Sequence, residues 1–175
     1  ARRTTASHSP IFAGGATSVT IADQSTFDGN AAGGRGGAMR AEASSSAVVS
    51  GGVGMRGNSA RLGGGISAQA STLQLSDSEL SDNSAVHGGG VHADDSSLTA
   101  LNLDLLHNAA DDSGGGIAAV ESSDVVVRES RAEGNACPRG AGGAIRVERS
   151  SLLLESSLLV ENAAGNGGAL SVAER

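Results

Sequence analysis

Apolar residues recur along this chain in short alternating runs, each opened by a pair of glycines. Counting the first glycine as zero, position +3 is Met39, Ile66, Val91, Ile117, Ile145 and Leu170. Position +5 is Ala41, Ala68, Ala93, Ala119, Val147 and Val172. Between them, position +4 is Arg40, Ser67, His92, Ala118, Arg146 and Ser171, mostly polar. Such period-two alternation predicts a strand with one buried face. At +8 stands Ser44, Ser71, Ser96, Ser122 or Ser150, usually inside a Ser/Thr pair, which predicts a bend. A second alternating run follows, with Val48, Leu75, Ala100, Val126 and Leu154 at +12. A third apolar position (Phe27, Met55, Leu80, Leu105, Ala132 or Leu159) lies three residues before an asparagine.

Those asparagines set the period. Asn30, Asn58, Asn83, Asn108, Asn135 and Asn162 are spaced by 28, 25, 25, 27 and 27 residues. A fixed period in this range means stacked identical units rather than an ordinary globular core. Each unit reads as three short strands and three bends, one coil of a right-handed parallel β-helix. The predicted fold is therefore all-β, with about six coils of 25–28 residues. At about 4.8 Å per rung, six rungs span roughly 25 to 30 Å. Stacked asparagine amides are expected to bond from rung to rung. The second glycines of the pairs, Gly37, Gly64, Gly89, Gly115, Gly143 and Gly168, are expected at a tight corner. These twelve residues are the predicted structural ladder.

Residues 18–175 carry the repeat, and 1–17 read as a lead-in or incomplete first coil. Ser18 to Asn30 keeps the spacing of Ser150 to Asn162 but lacks a glycine pair. Open coil edges need covers, so a segment of a longer chain is expected. A leucine-rich repeat would need a helix where Gly-Gly-Gly stands, at about 1 kcal/mol per glycine. The nine-residue period of a calcium-binding roll is missing.

Composition changes little in this picture. Gly supplies 27 of 175 residues, Trp and Tyr are missing, and all 12 basic residues are Arg. A net charge of −7 argues against a nucleic-acid partner. No apolar run is long enough for direct membrane insertion. A single cysteine, Cys137, allows no internal disulfide.

Chemistry in a β-helix must be sought in columns, since rung-mates are neighbours. Asp77, Asn102 and Arg128 all fall at +14, but one carboxylate beside an amide and a guanidinium is no acid–base pair. Asp94-Asp95 and Asp111-Asp112 invite a cation, yet the rung-mate of Asp94 is Val120, eight residues beyond Asp112. Either pair alone supplies too few oxygens for calcium. His87 and His92, five apart on one strand, are expected on opposite faces. His107 shares a rung position with Asp82, which predicts a surface ion pair. His8 has no nameable partner, and Cys137 has no histidine in its coil or the next to activate it. The glycine runs lack a P-loop Lys-Ser/Thr. No catalytic residue, metal site or cofactor is predicted.

Phe27-Asp28-Gly29-Asn30, together with Gly142-Gly143-Ala144-Ile145, Gly167-Gly168-Ala169-Leu170 and Gly36-Gly37-Ala38-Met39, resembles the repeats of the chlamydial polymorphic outer membrane protein family. The resemblance runs from about residue 18 to 175. One copy keeps Phe before the Asn, and three copies read Gly-Gly-Gly. The resemblance implies a β-helical passenger displayed at a bacterial surface by a C-terminal barrel and acting in adhesion. The leading functional expectation is a non-enzymatic structural and adhesive segment, extracellular or at the cell surface. Its partners would be neighbouring parts of the same large protein or assembly, and a host or cell-surface ligand. The alternatives are a scaffold within an extracellular filament, to which rows such as Arg40, Arg146 and Arg149 would draw acidic partners, and a polysaccharide-active or sugar-binding β-helix. For the last, only Phe12 and Phe27 offer an aromatic platform.

Overall fold

A computed structural model describes residues 10–174. The described residues contain strands and no helix, and every strand pairing among them is parallel. They form a β-solenoid of about six turns with three faces.

The first face stacks seven short strands: Ile11–Ala13, Met39–Glu42, Ile66–Gln69, Val91–Asp94, Ile117–Val120, Ile145–Glu148 and Leu170–Ala173. Their register aligns Met39, Ile66, Val91, Ile117, Ile145 and Leu170 as rung-mates, as the alternation requires. From Met39 to Ile145 this column is buried, as is the Ala41 to Val147 column beside it. Small alanines suffice there because the opposing wall is only one coil-width away. The third face holds Ser84–His87, Ala109–Ser113, Ala136–Ala141 and Ala163–Asn166.

The second face is not one flat strand per coil. Thr72–Ser81 and Ser97–Leu106 run its full width, while other coils split it, as in Asp124–Arg128 followed by Arg131–Glu133. The break is a left-handed residue, Asp77, Asn102, Glu129 or Ser156, with φ of 48°, 50°, 50° and 48°. The two coils that begin at Ile117–Val120 and Ile145–Glu148 therefore contain four strands, while the four coils before them contain the three expected.

That bend also corrects three sequence columns by one residue. Arg128 pairs with Leu101, so it is Glu129 that follows Asp77 and Asn102 at the bend. The inward +12 column is Val49, Leu75, Ala100, Val127 and the partly buried Leu154, not Val48 and Val126. The bonded serine column runs through Ser71, Ser96, Ser123 and Ser150, not Ser122. The cause is the preceding corner. Ala70, Asp95 and Arg149 turn it with one left-handed residue, whereas Ala43-Ser44 and Glu121-Ser122 use two. Counting from the glycines slips by one wherever the corner is longer.

A second correction concerns the outer side of the first face. At +4, Ser67, His92 and Ala118 are 1 %, 5 % and 0 % exposed. This sheet is covered on both sides over its middle coils.

Candidate functional site

The asparagine column lies inside the solenoid. Asn58, Asn83, Asn108 and Asn135 are fully buried. Each Oδ1 accepts two bonds from the coil before; for Asn83 these come from the backbone N–H and Nδ2 of Asn58, at 2.9 and 3.0 Å. Each Nδ2 also donates to a carbonyl of the preceding coil, as Asn83 does to Met55 O at 2.9 Å. Asn30 and Asn162 continue the column at partly exposed ends. The residue just ahead of each asparagine is left-handed, including Asp82, His107 and Glu161 at φ of 55°, 53° and 55°.

The two glycines of a corner serve different needs. Gly88 has φ +65°, the left-handed region. Gly89 has no room: a Cβ there would lie 2.3 Å from Gly115 O and 2.5 Å from Ala109 O, both backbone. The same obstruction meets Gly37, Gly64, Gly115 and Gly143, while Gly168 in the last coil is only lightly approached.

This corner brings His87 and His92 together. They belong to different strands on either side of Gly88-Gly89-Gly90, and their rings meet edge to face at 6.4 Å. The expectation of opposite faces fails because the left-handed glycine folds the chain between them. Burial first, then the charges of His87 and Arg35, pull the pKa of His92 down to about 4. Its imidazole is neutral at physiological pH. His87 Nδ1 lies 3.4 Å from Asp112 Oδ2.

Around His92 lies the most distinctive outward surface. Phe12, Arg40, Ser67 and His92 are consecutive rung-mates. Arg40 Nε, Ser67 Oγ and His92 Nδ1 are buried and have no hydrogen-bond partner among the described residues. Beside them runs a parallel column, Glu42, Gln69 and Asp94, lining a cleft of about 420 Å3. Here the polar groups are matched: Arg40 pairs with Glu42, Gln69 Nε2 donates to Asp94 Oδ2 at 3.2 Å, and Arg35 Nη1 ends 3.9 Å from the same carboxylate. Phe12 is 60 % exposed, with the Arg40 guanidinium 5.5 Å from its ring centre. Sequence reasoning reached Phe12, Arg40, Ser67, His92 and Asp94 separately but not their union, and it missed Arg35, Glu42 and Gln69. The signal was the +4 column itself, read as the polar side of a strand with one buried face.

A second cleft, of about 560 Å3, lies along the bend of the second face, among Arg56, Asp77, Glu79, Asn102 and Asp104. Its polar groups are mutually engaged. Arg56 grips Glu79 at 3.0 and 3.1 Å, and Asn102 Nδ2 donates to Asp77 Oδ1 at 2.8 Å. The Ser81 hydroxyl, then Arg56, hold Glu79 below the usual carboxylate range against a burial penalty.

The remaining candidates disperse. Asp94 pairs in register with Val120, which keeps the two acidic pairs apart. His107 and Asp82 share a rung position, but no ion pair joins them among the described residues. The His107 ring lies against Gly134, where a Cβ would sit 2.6 Å from it. Cys137 is buried, and burial raises its pKa, so its thiol stays protonated. Arg40, Arg146 and Arg149 pair with Glu42, Glu148 and Glu121. His8 lies outside the described residues. No protein-family model, curated protein or solved structure matches this chain.

Proposed function

We propose that this chain is a non-enzymatic structural and adhesive segment of a large extracellular or cell-surface protein, comparable to an autotransporter passenger. One observation carries the reading. The inward columns repeat from coil to coil, whereas exposed or half-exposed rung-mates change: Thr20, Val48, Gln74, Thr99, Val126 and Leu153 occupy one column. A scaffold held by internal ladders leaves its outer positions free to differ, which suits display of a binding surface. The resemblance to the chlamydial repeats points the same way. The partner is then a ligand on another cell or matrix, and the neighbours are further parts of the same assembly.

The test is adhesion of the purified chain, coupled to beads, to cultured cells and matrix-coated surfaces. Saturable attachment that free chain competes away is the expected result. Absence of attachment, with concentration-dependent growth of head-to-tail oligomers, would favour the filament scaffold instead. Measurable cleavage of a polysaccharide by the chain would overturn the non-enzymatic reading.

A further inference from the structure

The column Phe12, Arg40, Ser67, His92 holds hydrogen-bonding capacity that no described residue uses. Burying a polar atom without a partner is costly, and folded proteins rarely tolerate it. Here Arg40 Nε, Ser67 Oγ and His92 Nδ1 stand unpartnered on three successive rungs, and the Ser67 and His92 side chains are more than nine-tenths buried. Rungs about 4.8 Å apart place Phe12 and His92 about 14 Å from one another. The feature is therefore a row, not a point.

We propose that this row binds a neutral saccharide chain laid along the solenoid axis. Charge decides the ligand class. Arg40 is offset by Glu42 and Arg35 by Asp94, so no excess cation remains for a phosphate or sulfate. What remains is a hydroxyl, an uncharged imidazole nitrogen and one guanidinium N–H. The first can donate or accept, and the imidazole nitrogen takes either role with its tautomer, which suits the hydroxyls of a sugar. Phe12, exposed at the end of the row, offers an apolar ring face for the C–H side of a sugar ring. The cleft along Glu42, Gln69 and Asp94 gives the chain room beside the row. Arg35 reaches from the coil of Arg40 to Asp94, passing over the coil that carries Ser67. Its long side chain swings aside to uncover Ser67 and His92 when the sugar enters. The proposal rests on the adhesive reading for its purpose and names the ligand of that surface.

The experiment is an NMR titration of the whole chain with neutral oligosaccharides derived from glucans, mannans and galactans, with pectate fragments as the anionic probe. Saturable shifts at Ser67 and His92 with one neutral class are expected. Ser67→Ala should weaken that binding by about tenfold or more, the worth of one hydrogen bond. It should leave the urea midpoint unchanged, because the hydroxyl has no partner to lose among the described residues. Phe12→Ala, at an exposed position, should weaken it as well and keeps the test alive if Ser67→Ala fails to fold. No binding by any neutral class, binding of pectate fragments alone, or binding indifferent to these substitutions would overturn the proposal, a buried water then being the simpler tenant. Adhesion that persists while every neutral glycan fails refutes the saccharide and spares the adhesive reading. Glycan binding without adhesion does the reverse.

Discussion

Replacing Asn83 by Ala should be among the most damaging single changes to this protein, although it removes only an amide. Its side chain makes four hydrogen bonds: two accepted from Asn58, one donated to Met55 O and one donated to Asn108 Oδ1. Not all of these partners are stranded by its loss. Asn58 Nδ2 keeps Phe27 O at 2.7 Å, and Asn108 Oδ1 keeps the backbone N–H of Asn83 at 3.1 Å. The backbone N–H of Asn58 has one hydrogen and no substitute acceptor. An orphaned buried donor costs about 1–3 kcal/mol, and each further bond lost costs about 1 kcal/mol net. The total is about 4–6 kcal/mol. Asn30→Ala is the control. Among the described residues it removes one side-chain bond, to Asn58 Oδ1, at a partly exposed end where water substitutes, so about 0.5–1 kcal/mol is expected. The assay is urea unfolding followed by far-ultraviolet circular dichroism, with hydrogen exchange at the Asn58 amide as the local readout. Coils of a solenoid open semi-independently, so the exchange measurement locates the damage. A loss at Asn83 below about 1 kcal/mol, or equal to that at Asn30, would refute the view that the amide column holds the coils in register.

Three further outcomes are expected. Gly89→Ala should cost more than about 4 kcal/mol, since its Cβ meets backbone oxygens at 2.3 and 2.5 Å, whereas Gly33→Ala, with nothing within 4 Å, should stay within about 0.5 kcal/mol; calorimetry of the pair decides. Stability should fall as pH drops from 6.5 towards 4, because the unfolded chain binds a proton that buried His92 resists, a contribution fully present above 6.5. The difference between wild type and His92→Gln across that window, up to about 3 kcal/mol in urea titrations, isolates it from the carboxylates. Cys137 is buried with a raised pKa, so a thiol reagent at mildly alkaline pH should label it on the order of a hundredfold more slowly in the native chain than in urea.

Period and alternation were enough to reveal the stacked parallel coils, because each coil repeats its own instructions. Met39, Ile66 and Val91 could be aligned by counting, and the structure pairs them so. Counting failed at Val48, Val126 and Arg128 for a local reason. A corner of two left-handed residues and a corner of one look alike in a stretch of serine, alanine and acid. The buried row was harder still to see. Ser67 and His92 alternate with apolar neighbours as solvated residues do. What helps to bury His92 is the fold of the glycine corner, which turns His87 against it from outside the strand and brings Arg35 near it. Burial of that kind belongs to the angle between faces and leaves no trace in alternation.

The asparagine column also gives the solenoid a polarity. From Asn58 to Asn162 every side-chain oxygen accepts from the coil before it, and from Asn30 to Asn135 every amide passes a donor to the coil after it. The two ends of any stretch of such coils are therefore chemically unlike, one offering acceptors and the other donors. Two copies meeting through like ends would set donor against donor, so a twofold end-to-end dimer is disfavoured. Stacking that preserves the pattern runs head to tail, and a head-to-tail contact along a straight axis extends rather than closes.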